Sequence, residues 1–141
     1  EEEKLIIRQQ INGEEQNVRP VMTTQEIIEA RRVVKQVYTD YKIEQYIADV
    51  VFSTRYPEKY GLKEIKDYIE IGGSPRASIN LALAARAYAF IKRRGYVIPE
   101  DVRAVAHDVL RHRIGLTYEA EANNVTSDEI VNNVLNKVEV P

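Results

Sequence analysis

The sharpest grouping of residues able to do chemistry in this chain is Gly72-Gly73-Ser74-Pro75-Arg76. Two glycines free the backbone for a tight turn, Ser74 is placed to cap, and Pro75 takes a first helical position where its missing N–H costs nothing. Taken alone, this is a helix start that carries an arginine in its first turn. Metal chemistry finds little to work with. The only histidines, His107 and His112, are five apart on a predicted helix and face different ways. Cysteine is absent, which removes disulfides and thiolate metal sites and makes a reducing, cytoplasmic compartment the simplest setting. None of the six glycines heads the G-x-x-x-x-G-K-[ST] loop that cradles phosphates, so the chain is expected to be inactive in nucleotide hydrolysis on its own.

Basic side chains cluster at Lys92-Arg93-Arg94 and Arg111-His112-Arg113, both near predicted helix C-termini, where cations are favoured. With 20 basic against 22 acidic residues and a formal charge of -2, no global field draws in nucleic acid or an anionic membrane. Neither is expected as a partner. The longest apolar run, Leu81 to Ile91, is broken by Arg86 and falls well short of the roughly 20 residues that span a bilayer.

The elements that must position these residues read as helices. Leu5, Ile6 and Ile7 lie in a short helix that stops at Asn12-Gly13, with a polar connector over residues 14–20. Acids at Glu1 to Glu3 suit a first helical turn, and a helix beginning at residue 1 without an initiator Met is expected of a chain cut from a longer one. Thr23-Thr24-Gln25-Glu26 is a capping box, followed by a stripe of Ile27, Ala30, Val34 and Val37 that should face a core until Tyr38. Ile43, Tyr46, Ile47, Val50, Val51 and Thr54 recur at helical spacing up to Pro57. Residues 60–71 allow either a short helix or an extended segment.

A long helix from Pro75 to Gly95, apolar nearly all round and rich in alanine, is expected to be the buried centre. Pro99-Glu100-Asp101 opens a further helix that Gly115 stops, residues 118–125 read as a polar connector, and Thr126-Ser127-Asp128-Glu129 caps a last helix. His112 falls in the last turn of its helix, with Asp108 as a surface partner. No alternation of period two with hairpin turns is visible. The fold class is therefore all-α, a bundle of about five to six helices, and 141 residues suffice to bury about two thirds of the unfolded surface in one core.

The order of segments resembles the C-terminal lid of MoxR-family AAA+ ATPases along nearly the whole chain. It begins with Tyr46-Ile47, Val50-Val51 and Thr54-Arg55, and continues with Gly-Gly-Ser-Pro-Arg-Ala at 72–77 and Tyr96-Val97-Ile98-Pro99-Glu100-Asp101-Val102. Val109-Leu110-Arg111-His112-Arg113 and the tail from Tyr118 to Pro141 complete it. Two departures are Gly73, where alanine is common, and Ile98, where a capping Ser or Thr is usual.

The resemblance implies a division into 1–22, a helix and linker from the AAA+ core, 23–116, the lid bundle, and 117–141, a linker and C-terminal helix. It makes Arg76 the sensor 2 arginine, acting on the γ-phosphate of ATP, with Gly73, Ser74 and Pro75 beside it in the nucleotide-binding site. Tyr46 and Ile47 would lie on the lid helix that approaches the adenine, although their spacing fits plain core packing better. The parent protein would be an ATPase using ATP and Mg, with no cofactor expected in the fragment alone. Implied partners are the missing AAA+ core, neighbouring subunits of a hexameric ring and a client protein that the ring remodels. From a different class, the same residues allow a free-standing helical interaction module with no nucleotide role.

Overall fold

The computed structural model describes residues 2–12 and 19–141. Among them seven α-helices and two 3-10 turns follow one another, with one pair of short strands. The chain divides into two units, residues 1–31 and 32–141.

In the first unit, α1 (Glu2–Asn12) carries Glu2 and Glu3 in its first turn, as the helix dipole favours. The Gly13 stop and most of the connector after it lie outside the described residues. Helix α2 (Thr24–Val34) starts from the expected capping box: the Thr23 N–H donates to Glu26 Oε2 at 2.6 Å, and the Glu26 N–H donates to Thr23 Oγ1 at 3.2 Å. Its stripe is another matter. No residue of α2 is buried, and Val37, the one member of the stripe that is, lies beyond the helix. Periodicity fixes where a stripe runs on a helix and says nothing of what covers it.

The end of α2 at Val34, short of Tyr38, has a visible competitor. Tyr38 forms a parallel bridge with Tyr96, its N–H donating to Gly95 O at 2.9 Å and its C=O accepting from Val97 N–H at 3.0 Å. Helix α3 (Tyr41–Arg55) follows, capped by Asp40, which accepts from the Lys42 N–H at 2.9 Å. It buries the whole expected stripe, Ile43, Tyr46, Ile47, Val50, Val51 and Thr54. Pro57 then opens a 3-10 turn, Pro57–Tyr60, and a second turn, Lys63–Tyr68, leads into β1 (Ile69–Ile71). The ambiguous stretch is thus helical first and extended afterwards.

Strand β1 pairs antiparallel with β2 (Gly115–Leu116), Ile69 opposite Leu116 and Ile71 opposite Gly115. This amends the expectation of helices alone, because strands of three and two residues are too short to display alternation.

Helix α4 (Pro75–Ile91) packs most extensively on α5 (Pro99–Leu110). Ala77, Leu81, Ala85 and Ala89, one every four residues, form its buried row, whose three alanines let α5, with Val102, Ala106 and Leu110 buried, approach closely. Burying Leu81 or Leu110 is worth about 1.5–3 kcal/mol each. Yet Ile79, Leu83 and Ile91 are exposed, so α4 buries one row and not its circumference. It also ends differently from expectation: Arg93, at φ 59°, takes the left-handed position assigned to Gly95. That reversal accompanies a fork of Arg94 onto both carboxylate oxygens of Asp101, which is 1% exposed. Asp101 in turn accepts from the Ile98 N–H at 2.9 Å, supplying the cap that the Ile98 side chain cannot.

Helix α5 stops at Leu110, before Gly115, because the chain must turn through Arg111–Arg113 to sink Ile114 into the core and enter β2. His112 therefore lies beyond the last turn, and Asp108 approaches Arg111 at 3.6 Å. The supposed connector holds a helix of its own, α6 (Tyr118–Ala122), capped by Thr117, whose hydroxyl also donates to Asp67 O at 2.8 Å. Helix α7 (Ser127–Lys137) begins at the expected capping box, Thr126 N–H to Glu129 Oε2 at 2.7 Å and Glu129 N–H to Thr126 Oγ1 at 3.2 Å. Ile130, Val131, Val134 and Leu135 close the core from that side.

Candidate functional site

The first turn of α4 is built from the end of α3. The Gly73 N–H donates to Thr54 Oγ1 at 2.8 Å, and the Thr54 hydroxyl spends its own proton on Val51 O at 2.7 Å. The Gly73 carbonyl accepts from Arg55 Nε. Both polar groups of one backbone residue are thereby engaged by consecutive residues of α3. Gly72 lies closer still, for a Cβ there would stand 2.5 Å from the Thr54 carbonyl oxygen, which no side chain permits. At Gly73 a Cβ would meet nothing nearer than Val51 Cγ1 at 3.2 Å, so the tighter constraint is at Gly72.

Beyond this pinned turn the chain passes through Ser74, extended at φ -76° and ψ 170°, into Pro75 as the first helical residue. Ser74 makes no side-chain cap bond, contrary to expectation, and the Ala77 N–H bonds instead to its backbone carbonyl at 2.8 Å. Arg76 follows, exposed, with no acidic residue in the first turn and no hydrogen-bond or ion-pair partner among the described residues. A cation at this end of a helix opposes the dipole, at a cost of about 0.3–1 kcal/mol. A 17-residue helix with a free cation at its positive end can recognise an anion, and this is the chemistry the arrangement offers.

Gly73, Ser74, Pro75 and Arg76 thus come together by sequence adjacency on a rigid turn. Tyr46 and Ile47 are placed otherwise. Each is 2% exposed and packed in the core, two turns before Thr54 on α3. The Tyr46 hydroxyl is buried without a partner among the described residues, and Tyr46 lines a 260 Å³ recess with Tyr41, Gln45, Asp49 and the Glu139–Pro141 tail. No group of three metal-ligating side chains gathers among the described residues. Reading the sequence alone assigns no role to Thr54 and Arg55. Their signal is a threonine and an arginine closing an amphipathic helix, which says nothing of a turn 18 or 19 residues away.

Residues 63–134 match the family model of the AAA lid domain, half of the chain. The chain belongs to the AAA lid domain family. Its lid sequence is 35% identical, over all 141 residues, to "Chaperone MoxR1" of Mycobacterium tuberculosis (strain ATCC 25618 / H37Rv), of which it covers 37%. It is 34% identical over 126 residues, 89% of this chain, to the uncharacterized protein YeaC of Bacillus subtilis (strain 168), again covering 37% of that protein. A crystal structure of a candidate ATPase from Cytophaga hutchinsonii superposes with a TM-score of 0.90 at 38% identity, over all of this chain and 43% of the other. The chain thus spans 37% to 43% of the length of these relatives, and the resemblance to MoxR proteins concerns that region.

Proposed function

We propose that this lid serves a MoxR-type AAA+ ATPase and that Arg76 is its sensor 2 arginine, reading the γ-phosphate of ATP. The observation that carries the reading is the uncompensated cation: Arg76 sits exposed in the first turn of α4, where stability favours an acid and where an anionic phosphate would relieve the conflict. Its full charge, added to the partial charge of the helix terminus, would stabilise negative charge developing on the transferred phosphoryl oxygens. The residues of the turn fit the phosphate, and Mg²⁺ in the parent ATPase would be held by the AAA+ core.

Arg76, Ile79 and Leu83 share one face of α4 at i, i+3 and i+7, and both apolar members are exposed. Such a face suits the AAA+ core or the neighbouring subunit of a ring, a hexamer by family architecture, whose turnover would remodel a client protein in the cytoplasm. Alone, the lid would hydrolyse no nucleotide.

Charge reversal tests the assignment. Arg76→Glu in the full-length protein should abolish ATP turnover while the isolated lid still folds. Turnover that persists in this variant would overturn the sensor assignment and leave an interaction module as the better reading.

A further inference from the structure

The geometry points to Thr54 and Arg55 as positioning residues for Arg76, an inference that rests on the sensor reading above. Arg76 is three residues beyond Gly73, and the direction of its helical turn is set by how that turn is anchored. Local capping does not anchor it, since Ser74 contributes no side-chain bond. The anchor is remote: Thr54 Oγ1 holds the Gly73 N–H at 2.8 Å, Arg55 Nε holds the Gly73 carbonyl, and the Thr54 carbonyl bears against Gly72.

The hydroxyl of Thr54 is oriented. Its single proton goes to Val51 O at 2.7 Å, which leaves a lone pair for Gly73. Thr54 is buried, so this bond is shielded from competing water. Arg55 is steadied separately, its guanidinium 4.9 Å from the Phe52 ring centroid on the same helix. The end of α3 thus holds both polar backbone groups of Gly73 at the start of α4, and the turn carries Arg76 with it. A displacement of about 1 Å at a charge-stabilising group can cost on the order of 10²-fold in rate, so slack in the clamp should appear in turnover.

The experiment is a double-mutant cycle on ATP hydrolysis by the full-length protein, with thermal unfolding measured for every variant. Thr54→Val keeps shape and removes the acceptor, and Thr54→Ser keeps it. The expected result is a drop of about tenfold in kcat for Thr54→Val with KM little changed. Thr54→Ser should stay near wild type, and Thr54→Val should add nothing in the Arg76→Ala background. Should Thr54→Val fail to fold, Arg55→Met, which opens only the carbonyl side of the clamp, is put through the same cycle and should behave alike. Two results overturn the inference while leaving the sensor reading intact: Arg76→Ala lowers kcat and the clamp variant does not, or the two losses multiply. An Arg76→Ala enzyme with unchanged turnover overturns both.

Discussion

Arg76 and Gly72 mark the two ways a single residue can be constrained. At Arg76 the constraint works against stability, because no neighbouring acid answers a cation in the first turn of α4. Arg76→Glu should therefore raise the unfolding free energy of the isolated lid by about 0.3–1 kcal/mol at low salt, read from urea denaturation. An unchanged or lower value would show that the charge does not feel the helix dipole. At Gly72 the constraint is room, a Cβ standing 2.5 Å from a backbone oxygen that cannot step aside. Gly72→Ala should cost about 1–3 kcal/mol, whereas Gly73→Ala, whose nearest contacts are side-chain atoms at 3.2 and 3.3 Å, should cost clearly less. Equal losses would place the clamp elsewhere. Part of this was legible beforehand: Gly-Gly-Ser-Pro-Arg reads as a turn into a helix. The partners of the turn were not, because Thr54 and Arg55 meet it only through tertiary packing.

Helices were read best where their ends carry local chemistry. The Thr23/Glu26 and Thr126/Glu129 boxes formed as written, since each needs only residues three apart. Where an end depends on a distant partner, sequence reasoning missed it. Gly95 looked like the stop of α4, yet Arg93 makes the reversal and Arg94 grips buried Asp101. Helix α6 escaped notice at five residues, too short for a period to show. The docking of α7 on α5 shows another contact that spacing conceals. Asp128, at the start of α7, meets Arg111 Nε at 3.1 Å and His107 Nδ1 at 3.2 Å. Desolvation pushes its carboxyl up, but the hydrogen bonds and charges of Arg111 and His107 outweigh it and hold the value below the ordinary carboxylate range. A depressed folded-state pKa contributes stability that is present above the unfolded value of about 3.9 and is lost as the pH falls through the folded one. The lid should thus lose stability below about pH 4, and Asp128→Asn should flatten that part of the profile. An identical acid limb in the variant would assign the loss to other carboxylates.

For the molecule, the all-α class followed from composition and period, and the core formed where α3, α4, α5 and α7 present their stripes. The stripe of α2 could not be placed from its period, and its residues remain unburied. The spacing of His107 and His112 puts them on different faces, while the contact of His107 with α7 came only with the fold. The Gly72–Arg76 turn was legible because it is contiguous in the chain, while the bonds that hold it come from α3.

The most direct test of the sensor assignment is steady-state ATP hydrolysis by the full-length protein, wild type against Arg76→Ala, with folding checked by thermal unfolding. With Arg76 as the sensor, kcat falls at least about tenfold, equivalent to about 1.4 kcal/mol of lost transition-state stabilisation, in a protein that stays folded. Wild-type turnover retained by the folded variant would contradict it, and the first turn of α4 would then be a helix start and nothing more.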